Sequence, residues 1–208
     1  QTSYFQPILD VLEYRPSNLE NVPDMVIVEG KNDFYTLRWF EGQRGARRRS
    51  RGSIGLHFAP GGGASTMDRL IALYLGWARS FVVLLDGDDE GAQRRDDYVS
   101  RFGPALRGRV FCLGDVCMKW RGKEMEELFV EGDAIAVQRT IDPGSVSRSK
   151  DLLNCAIQEA VVAGRSLPVS RETRANFDQL LSFPGESLAV SVAPEHGTTV
   201  PDKKDRDS

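Results

Sequence analysis

The sequence feature that most constrains the fold is a run of five apolar residues, 81–85, that ends in a cluster of carboxylates. The run reads Phe-Val-Val-Leu-Leu and continues directly as Asp86-Gly-Asp88-Asp-Glu-Gly. Five apolar residues without a polar interruption predict a β-strand that is buried on both faces, as in parallel sheets covered by helices. Ligands of such sheets bind beyond the carboxyl ends of the strands. Asp86 and Asp88 therefore stand where a site is expected.

Strand and helix patterns alternate along the first two thirds of the chain. Short apolar strands are predicted at residues 25–28, 53–58 and 109–113, and apolar residues at helical spacing separate them. This alternation predicts an α/β fold, with a parallel sheet flanked by helices. Residues 132–185 keep only the helical spacing, which indicates a small C-terminal helical subdomain. The predicted organisation is a lead-in at residues 1–24, an α/β domain at 25–131, the helical subdomain at 132–185 and a disordered polar tail at 186–208.

Two further groups of acids follow strands. Glu29 ends the first strand and Asp33 lies one helical turn later, while Glu124, Glu126 and Glu127 come after the fourth strand. So much negative charge at one edge of a sheet is costly unless cations neutralise it. The chain has two His and three Cys, and the cysteines lack paired spacing. Oxygen donors without His or Cys clusters favour Mg²⁺ or Mn²⁺ over zinc.

A segment rich in Gly and Arg spans residues 41–53 and is predicted to be a loop. The net charge is −3, yet five arginines crowd into this segment. Guanidinium groups match phosphate oxygens, so contact with a nucleic-acid backbone is one interpretation of this loop, and a solvated surface loop is the other. The arginines concerned are Arg44, Arg47, Arg48, Arg49 and Arg51.

The acidic motifs carry a family resemblance. Val28-Glu29-Gly30 and Asp86-Gly87-Asp88 resemble the Toprim domain shared by topoisomerases, bacterial primases and several nucleases. The longer motifs, at residues 28–33, 84–91 and 124–129, are most similar to those of the overcoming-lysogenization-defect (OLD) nucleases. The resemblance covers residues 25 to about 130, and it implies a Toprim fold and hydrolysis of DNA phosphodiesters with two metal ions.

The resemblance also implies roles for individual residues. Glu29, Asp86 and Asp88 are the expected catalytic carboxylates, and Lys150 is the candidate for the family's lysine because no other lysine lies between residues 123 and 203. Asp33 stands where family members often carry Glu. The expected ligands of the two Mg²⁺ or Mn²⁺ ions are Glu29, Asp33, Asp86, Asp88 and Glu126, with Glu127 as a second choice.

Partners and location follow from the same resemblance. OLD proteins carry an ATPase domain before the Toprim domain, and this chain has no Walker A lysine motif, so we expect no ATP site here and an N-terminal ATPase domain elsewhere in the full-length protein. The first residue is Gln rather than Met, which agrees with a piece of a longer protein. DNA is the expected partner. No signal-peptide pattern or membrane span is predicted, so a cytoplasmic location is expected.

Three alternatives remain open from the residues alone. A Toprim core also serves topoisomerases and primases, although both need further parts. A phosphoacceptor receiver domain gathers acids at strand ends as well, but it places its acidic pair after the first strand rather than the third. A DNA-binding module that retains the acids without activity is the third alternative.

Overall fold

A four-stranded parallel sheet forms the centre of the computed structural model, which describes residues 22–48 and 55–192. The strand order is β2-β1-β3-β4, and all three neighbouring pairs run parallel. The predicted α/β fold with a parallel sheet is therefore confirmed. The strands are β1 (Met25–Val28), β2 (His57–Pro60), β3 (Phe81–Leu85) and β4 (Val110–Cys112).

Helices follow the strands and cover both faces of the sheet. Within the described residues they are α1 (Lys31–Arg48), α2 (Ala64–Gly76), α3 (Asp89–Phe102), α4 (Leu113–Val116), α5 (Glu131–Gln138), α6 (Lys150–Ala163) and α7 (Arg171–Val192). Three short 3₁₀ turns lie at Gly103–Leu106, Met118–Trp120 and Met125–Leu128. None of the described helices is both long enough and apolar enough to cross a bilayer.

The two central strands are buried on both faces, as their apolar sequences require. Val26, Val28, Val82 and Leu84 face a core shared with α1, α6 and α7. The alternate residues of the same strands face a second core, which is shared with α2 and α3. Successive side chains of a strand point to opposite faces, so a run without polar residues fits a sheet covered on both sides.

The order in which the chain adds strands reverses between the two central strands, β1 and β3. From β1 the chain moves outward to β2 and then crosses back to pair β3 on the other side of β1. Val28 lies opposite Leu84, so the carboxyl ends of β1 and β3 are level with each other. A crevice at such a reversal is the usual binding position in open α/β sheets. Glu29 and Asp86 are the residues that enter it.

The helical C-terminal region belongs to the main core rather than to a core of its own. Phe177, Leu180 and Leu181 are buried in the same cluster as Val28 and Leu84. Helix α7 also continues to Val192, beyond residue 185, and Leu188 is buried within it. The polar tail predicted from residue 186 is therefore wrong for residues 186–192, and residues 193–208 lie outside the described part.

Two other boundaries differ from the sequence prediction. Residues 41–48, predicted as a loop, continue α1, because Phe40 and Arg44 extend its buried face despite two glycines. Strand β2 begins at His57 rather than at Ser53. Local glycine content suggested a loop, and packing of the helix against α7 outweighs it.

The shared core leads to a stability prediction for Phe177→Ala. Phe177 is fully buried and stacks on Phe40 with ring centroids 3.9 Å apart. We expect the substitution to lower the free energy of unfolding by about 3–5 kcal/mol, in one transition seen alike by circular dichroism and by tryptophan fluorescence in urea. The control is Val162→Ala, because Val162 is 75% exposed and should change stability little. A separate early transition confined to the helices would contradict the shared core.

Candidate metal centre

Glu29 connects the ends of the two central strands. One carboxylate oxygen, Oε1, accepts a hydrogen bond from the backbone N–H of Asp86 at 3.2 Å. The other, Oε2, accepts one from the Arg94 guanidinium. Burial raises the pKa of Glu29, and the charges of Asp88 and Glu90 add to the rise, although the Asp86 amide and Arg94 oppose it. The carboxylate is thus fixed at the strand ends.

Asp33 faces the same crevice from the first turn of α1. Its Oδ2 accepts a hydrogen bond from the backbone N–H of Gly30 at 2.9 Å. Burial raises the pKa of Asp33 to about 7, and the nearby carboxylates of Glu126 and Glu29 add to the rise. The charges of Asp33 and Glu29 therefore interact across the crevice.

Asp86 is the most strongly perturbed carboxyl of the group. Its Oδ1 accepts a hydrogen bond from the backbone N–H of Met125 at 3.0 Å, which ties the end of β3 to the third acidic motif. Burial and the charges of Asp33, Glu29 and Glu126 together raise the pKa of Asp86 to about 8, although the hydrogen bond from the Met125 amide opposes the rise. The negative charge here is undercompensated by protein donors.

Asp88 combines two positions. It is the N-cap of α3, and its Oδ1 accepts a hydrogen bond from the backbone N–H of Gly91 at 2.8 Å. Its charge contributes to the raised pKa of Glu29, so it belongs electrostatically to the cluster. Asp88 therefore joins the edge of the site while it also caps a helix.

The third acidic motif divides into one buried and one exposed glutamate. Glu126 is only 5% exposed, and its Oε1 accepts a hydrogen bond from Asn154 Nδ2 at 2.8 Å. Glu127 is exposed, and its Oε2 accepts from the backbone N–H of Glu124 at 2.8 Å, in the manner of a capping box. The structure thus favours Glu126 as the inward-facing acid and gives Glu127, our second choice of ligand, a capping contact instead.

Lys150 lies beside this motif at the start of α6. Its ammonium Nζ is 2.6 Å from Glu124 Oε2 and 3.4 Å from Glu126 Oε2. Burial lowers the pKa of Lys150, but the hydrogen bond to Glu124 and the charge of Glu126 outweigh it and raise the pKa above its usual value. Lys150 is therefore held as a cation against the acidic cluster.

Five arginines are predicted to contact a nucleic-acid backbone, and Arg44 is the one whose side chain lies in the described part of the chain. The prediction is wrong for Arg44. Arg44 is 8% exposed, lies within 3.4 Å of the Asp178 carboxylate and donates a hydrogen bond to Ser182 Oγ at 3.0 Å. It joins α1 to α7 because helical periodicity turns it inward. The side chains of Arg47 and Arg48, and the whole of Arg49 and Arg51, lie outside the described residues.

Two residues at the site were not found by sequence reasoning. Arg94 is paired with Glu29, and Asn154 is buried against Glu126 with its own Oδ1 lacking a hydrogen-bond partner in the described structure. Asn154 is four residues after Lys150, so both project from one face of α6. That spacing is the signal that could have identified Asn154.

The donor set fits a hard divalent cation. Every candidate ligand is a carboxylate, and burial together with mutual repulsion raises the pKa of three of them. Negative charge is therefore unfavourable here, and a bound cation would offset it. Among the described residues, no three His, Cys, Asp or Glu side chains already converge closely enough to hold an ion.

Comparison with known proteins adds no identification. No protein-family model, no curated protein and no solved structure matches this chain.

Asn154 provides a test of how Glu126 is held. Asn154→Ala removes the donor to a buried carboxylate, so we expect the affinity for Mn²⁺ to fall about 10- to 100-fold and stability to fall by about 1–3 kcal/mol. Calorimetric titration and urea unfolding measure the two effects. The matched control is Asn176→Ala, because Asn176 Nδ2 donates to the Leu128 carbonyl at 2.9 Å and contacts no carboxylate. Equal loss of Mn²⁺ affinity in both variants would mean that Asn154 acts only through general stability.

Proposed function

We propose that this protein is a divalent-metal-dependent nuclease that hydrolyses DNA phosphodiester bonds. The observation that carries the proposal is the electrostatic coupling of the Glu29, Asp33, Asp86 and Glu126 carboxylates beyond the carboxyl ends of the two central strands, with Lys150 held against Glu126. Acids at a protein surface are usually solvated, whereas these four are partly or largely buried, and the pKa values of Glu29, Asp33 and Asp86 are raised. The order of the acidic motifs, which resembles that of the OLD nucleases, supports DNA as substrate.

Glu29, Asp33, Asp86, Asp88 and Glu126 are the residues that would hold Mg²⁺ or Mn²⁺. Bound cations of this kind lower the pKa of an attacking water and neutralise charge on the phosphate. The backbone amides of Asp86, Gly30 and Met125 orient three of the carboxylates before any ion arrives. Preoriented ligands reduce the reorganisation that binding requires.

Lys150 has a separate role in the proposal. Its ammonium group is fixed by Glu124 and stands next to Glu126, so positive charge is available where the phosphate gains negative charge during the displacement. Asn154 and Lys150 together restrain Glu126 from two directions. These residues position the site, and the cluster itself provides the charge that recruits the cations.

The proposal is tested by incubating the purified chain with supercoiled plasmid and with linear duplex DNA. Mg²⁺, Mn²⁺, Ca²⁺ and EDTA are compared side by side. We expect nicked, linear or shortened DNA with Mg²⁺ or Mn²⁺ and none with EDTA. Relaxed closed circles without net cutting would indicate a topoisomerase, and no product with any cation would contradict nuclease activity. A separate ATPase domain of the full-length protein remains a proposed partner.

A further inference from the structure

A basic segment, residues 118–123, is fastened to the acidic turn at the end of β3. We call it the basic loop. Gly122 N–H donates to the Gly87 carbonyl at 2.6 Å, and Gly87 N–H donates to the Lys123 carbonyl at 2.8 Å. Trp120 is 5% exposed and packs in the main core. Loops usually move relative to the elements that they connect, but these contacts fix the basic loop against Asp86 and Asp88.

The basic loop carries three cations, at residues 119, 121 and 123. Lys119 and Arg121 are exposed, and Lys123 is partly exposed. Within the described part of the chain, none of the three forms an ion pair with a carboxylate, in contrast to Arg94, Arg95 and Lys150. Three cations at alternate positions are thus open to a ligand from solution.

A cavity of about 330 Å³ lies between the basic loop and the acidic turn. It is lined by two arginines, Arg95 and Arg121, by three acids, Asp88, Asp89 and Asp115, and by Gly87 and Gly114 among others. Arg95 donates to Asp115 at 3.1 Å, so its charge is already balanced, and Arg121 is the cation left facing the opening. The volume is at the lower end of the range for small-ligand sites.

An exposed methionine begins the same segment. Met118 is 79% exposed, next to Lys119 and two residues from the buried Trp120. An apolar side chain displayed beside cations is able to pack against a sugar or a base while the cations contact phosphates. The segment therefore combines the two kinds of contact that a nucleic-acid strand offers.

We infer that the basic loop binds the DNA backbone beside the phosphate that is cut, with Lys119 and Arg121 contacting neighbouring phosphates. The inference rests on the proposed function for the identity of the ligand. It replaces the predicted contact through Arg44, which is buried in the fold. Because these exposed cations are fixed beside the acidic turn, a DNA strand bound to them lies across the proposed site. Its affinity should therefore decrease steeply as the salt concentration rises.

The test is the double variant Lys119→Ala/Arg121→Ala, measured by fluorescence anisotropy on a labelled 20-base-pair duplex with Ca²⁺ in place of Mg²⁺. We expect binding to weaken about 10- to 30-fold and the slope of log K against log salt to fall by about 1.8, at about 0.9 per phosphate contact. The matched control, Arg69→Ala/Arg107→Ala, removes the same charge from exposed positions away from the acidic turn.

The outcomes separate this inference from the proposed function. If the loop variant binds DNA as tightly as the control, with the same salt slope, the basic loop is not a DNA contact. A wild-type chain that binds no DNA overturns the inference as well. If binding depends on Lys119 and Arg121 but no cation supports cleavage, the inference stands and the nuclease proposal fails.

Discussion

Asp86→Asn is expected to reduce Mg²⁺- or Mn²⁺-dependent DNA cleavage by at least about 1,000-fold, the loss typical of removing an essential electrostatic group from an active site, while the protein stays folded. The amide keeps an oxygen that can accept the Met125 N–H, so the link between β3 and residues 124–127 is preserved. It removes the charge that an ion needs. Cleavage assays and circular dichroism of the same preparation measure the two outcomes.

Glu127→Gln is the matched control for this substitution. It removes one carboxylate from the same acidic motif, but Glu127 is exposed, and glutamine can still accept the hydrogen bond from the Glu124 N–H. We expect near wild-type cleavage. Full activity of Asp86→Asn, or equal loss in both variants, would contradict the assignment of Asp86.

Asp86→Asn should also change how the stability of the protein depends on pH. Asp86 has a pKa of about 8 in the folded protein against an ordinary value of 3.8, so the folded state holds a proton that the unfolded chain releases between these values. Stability of the metal-free protein therefore falls as pH rises from about 5 to 8, by about 2 kcal/mol after allowance for partial exposure. Asp86→Asn should flatten this slope and stabilise the metal-free protein at pH 8. Urea unfolding in EDTA at several pH values measures it.

Gly87→Ala is the second substitution with a large expected effect. A Cβ at this position would lie 2.3 Å from the Trp120 carbonyl oxygen and 3.0 Å from that of Lys123. Both atoms belong to the backbone, so relief requires the two hydrogen bonds that hold the basic loop to Gly87 to break. We expect the free energy of unfolding to fall by about 2–4 kcal/mol, in the range of strained or overpacked buried positions, and cleavage to be lost.

Gly132→Ala provides the comparison for that substitution. Gly132 lies in α5, and a Cβ there would have no atom within 4 Å. Alanine favours helix over glycine, so stability should rise by up to about 1 kcal/mol. Thermal melting of the two variants side by side shows whether the loss at Gly87 comes from the close backbone approach. A Gly87→Ala protein as stable as wild type would contradict the described contact.

The sheet was predictable from the sequence because burial on both faces leaves an unmistakable pattern. Residues 81–85 are apolar at every position, and β3 occupies those five residues. The turn acids Glu29 and Asp86 were predictable for the same reason, since each directly follows such a strand. Helix α3 begins at Asp89, as the acids after Asp88 indicated.

Other features depended on contacts distant in sequence. Glu126 and Glu127 are adjacent and chemically identical, so the sequence does not distinguish them. The 3₁₀ turn that contains both buries Glu126. Arg44 resembled a surface cation because two glycines surround it, yet α7 supplies its partners 134 or more residues later. Asn154 carries no charge and lies in no motif. Its spacing from Lys150 places it on the same face of α6, but its partner Glu126 lies 28 residues away in the sequence.

The measurement that tests the central claim most directly is calorimetric titration of the metal-free protein with Mn²⁺ at pH 7.5 in two buffers of different ionisation enthalpy. The account predicts saturable binding with release of protons, because the pKa values of Asp33 and Asp86 leave protons for the ion to displace. Binding should be lost in Asp86→Asn and retained in Glu127→Gln. No saturable binding in the millimolar range, or equal binding by Asp86→Asn, would contradict a cation site at this edge of the sheet.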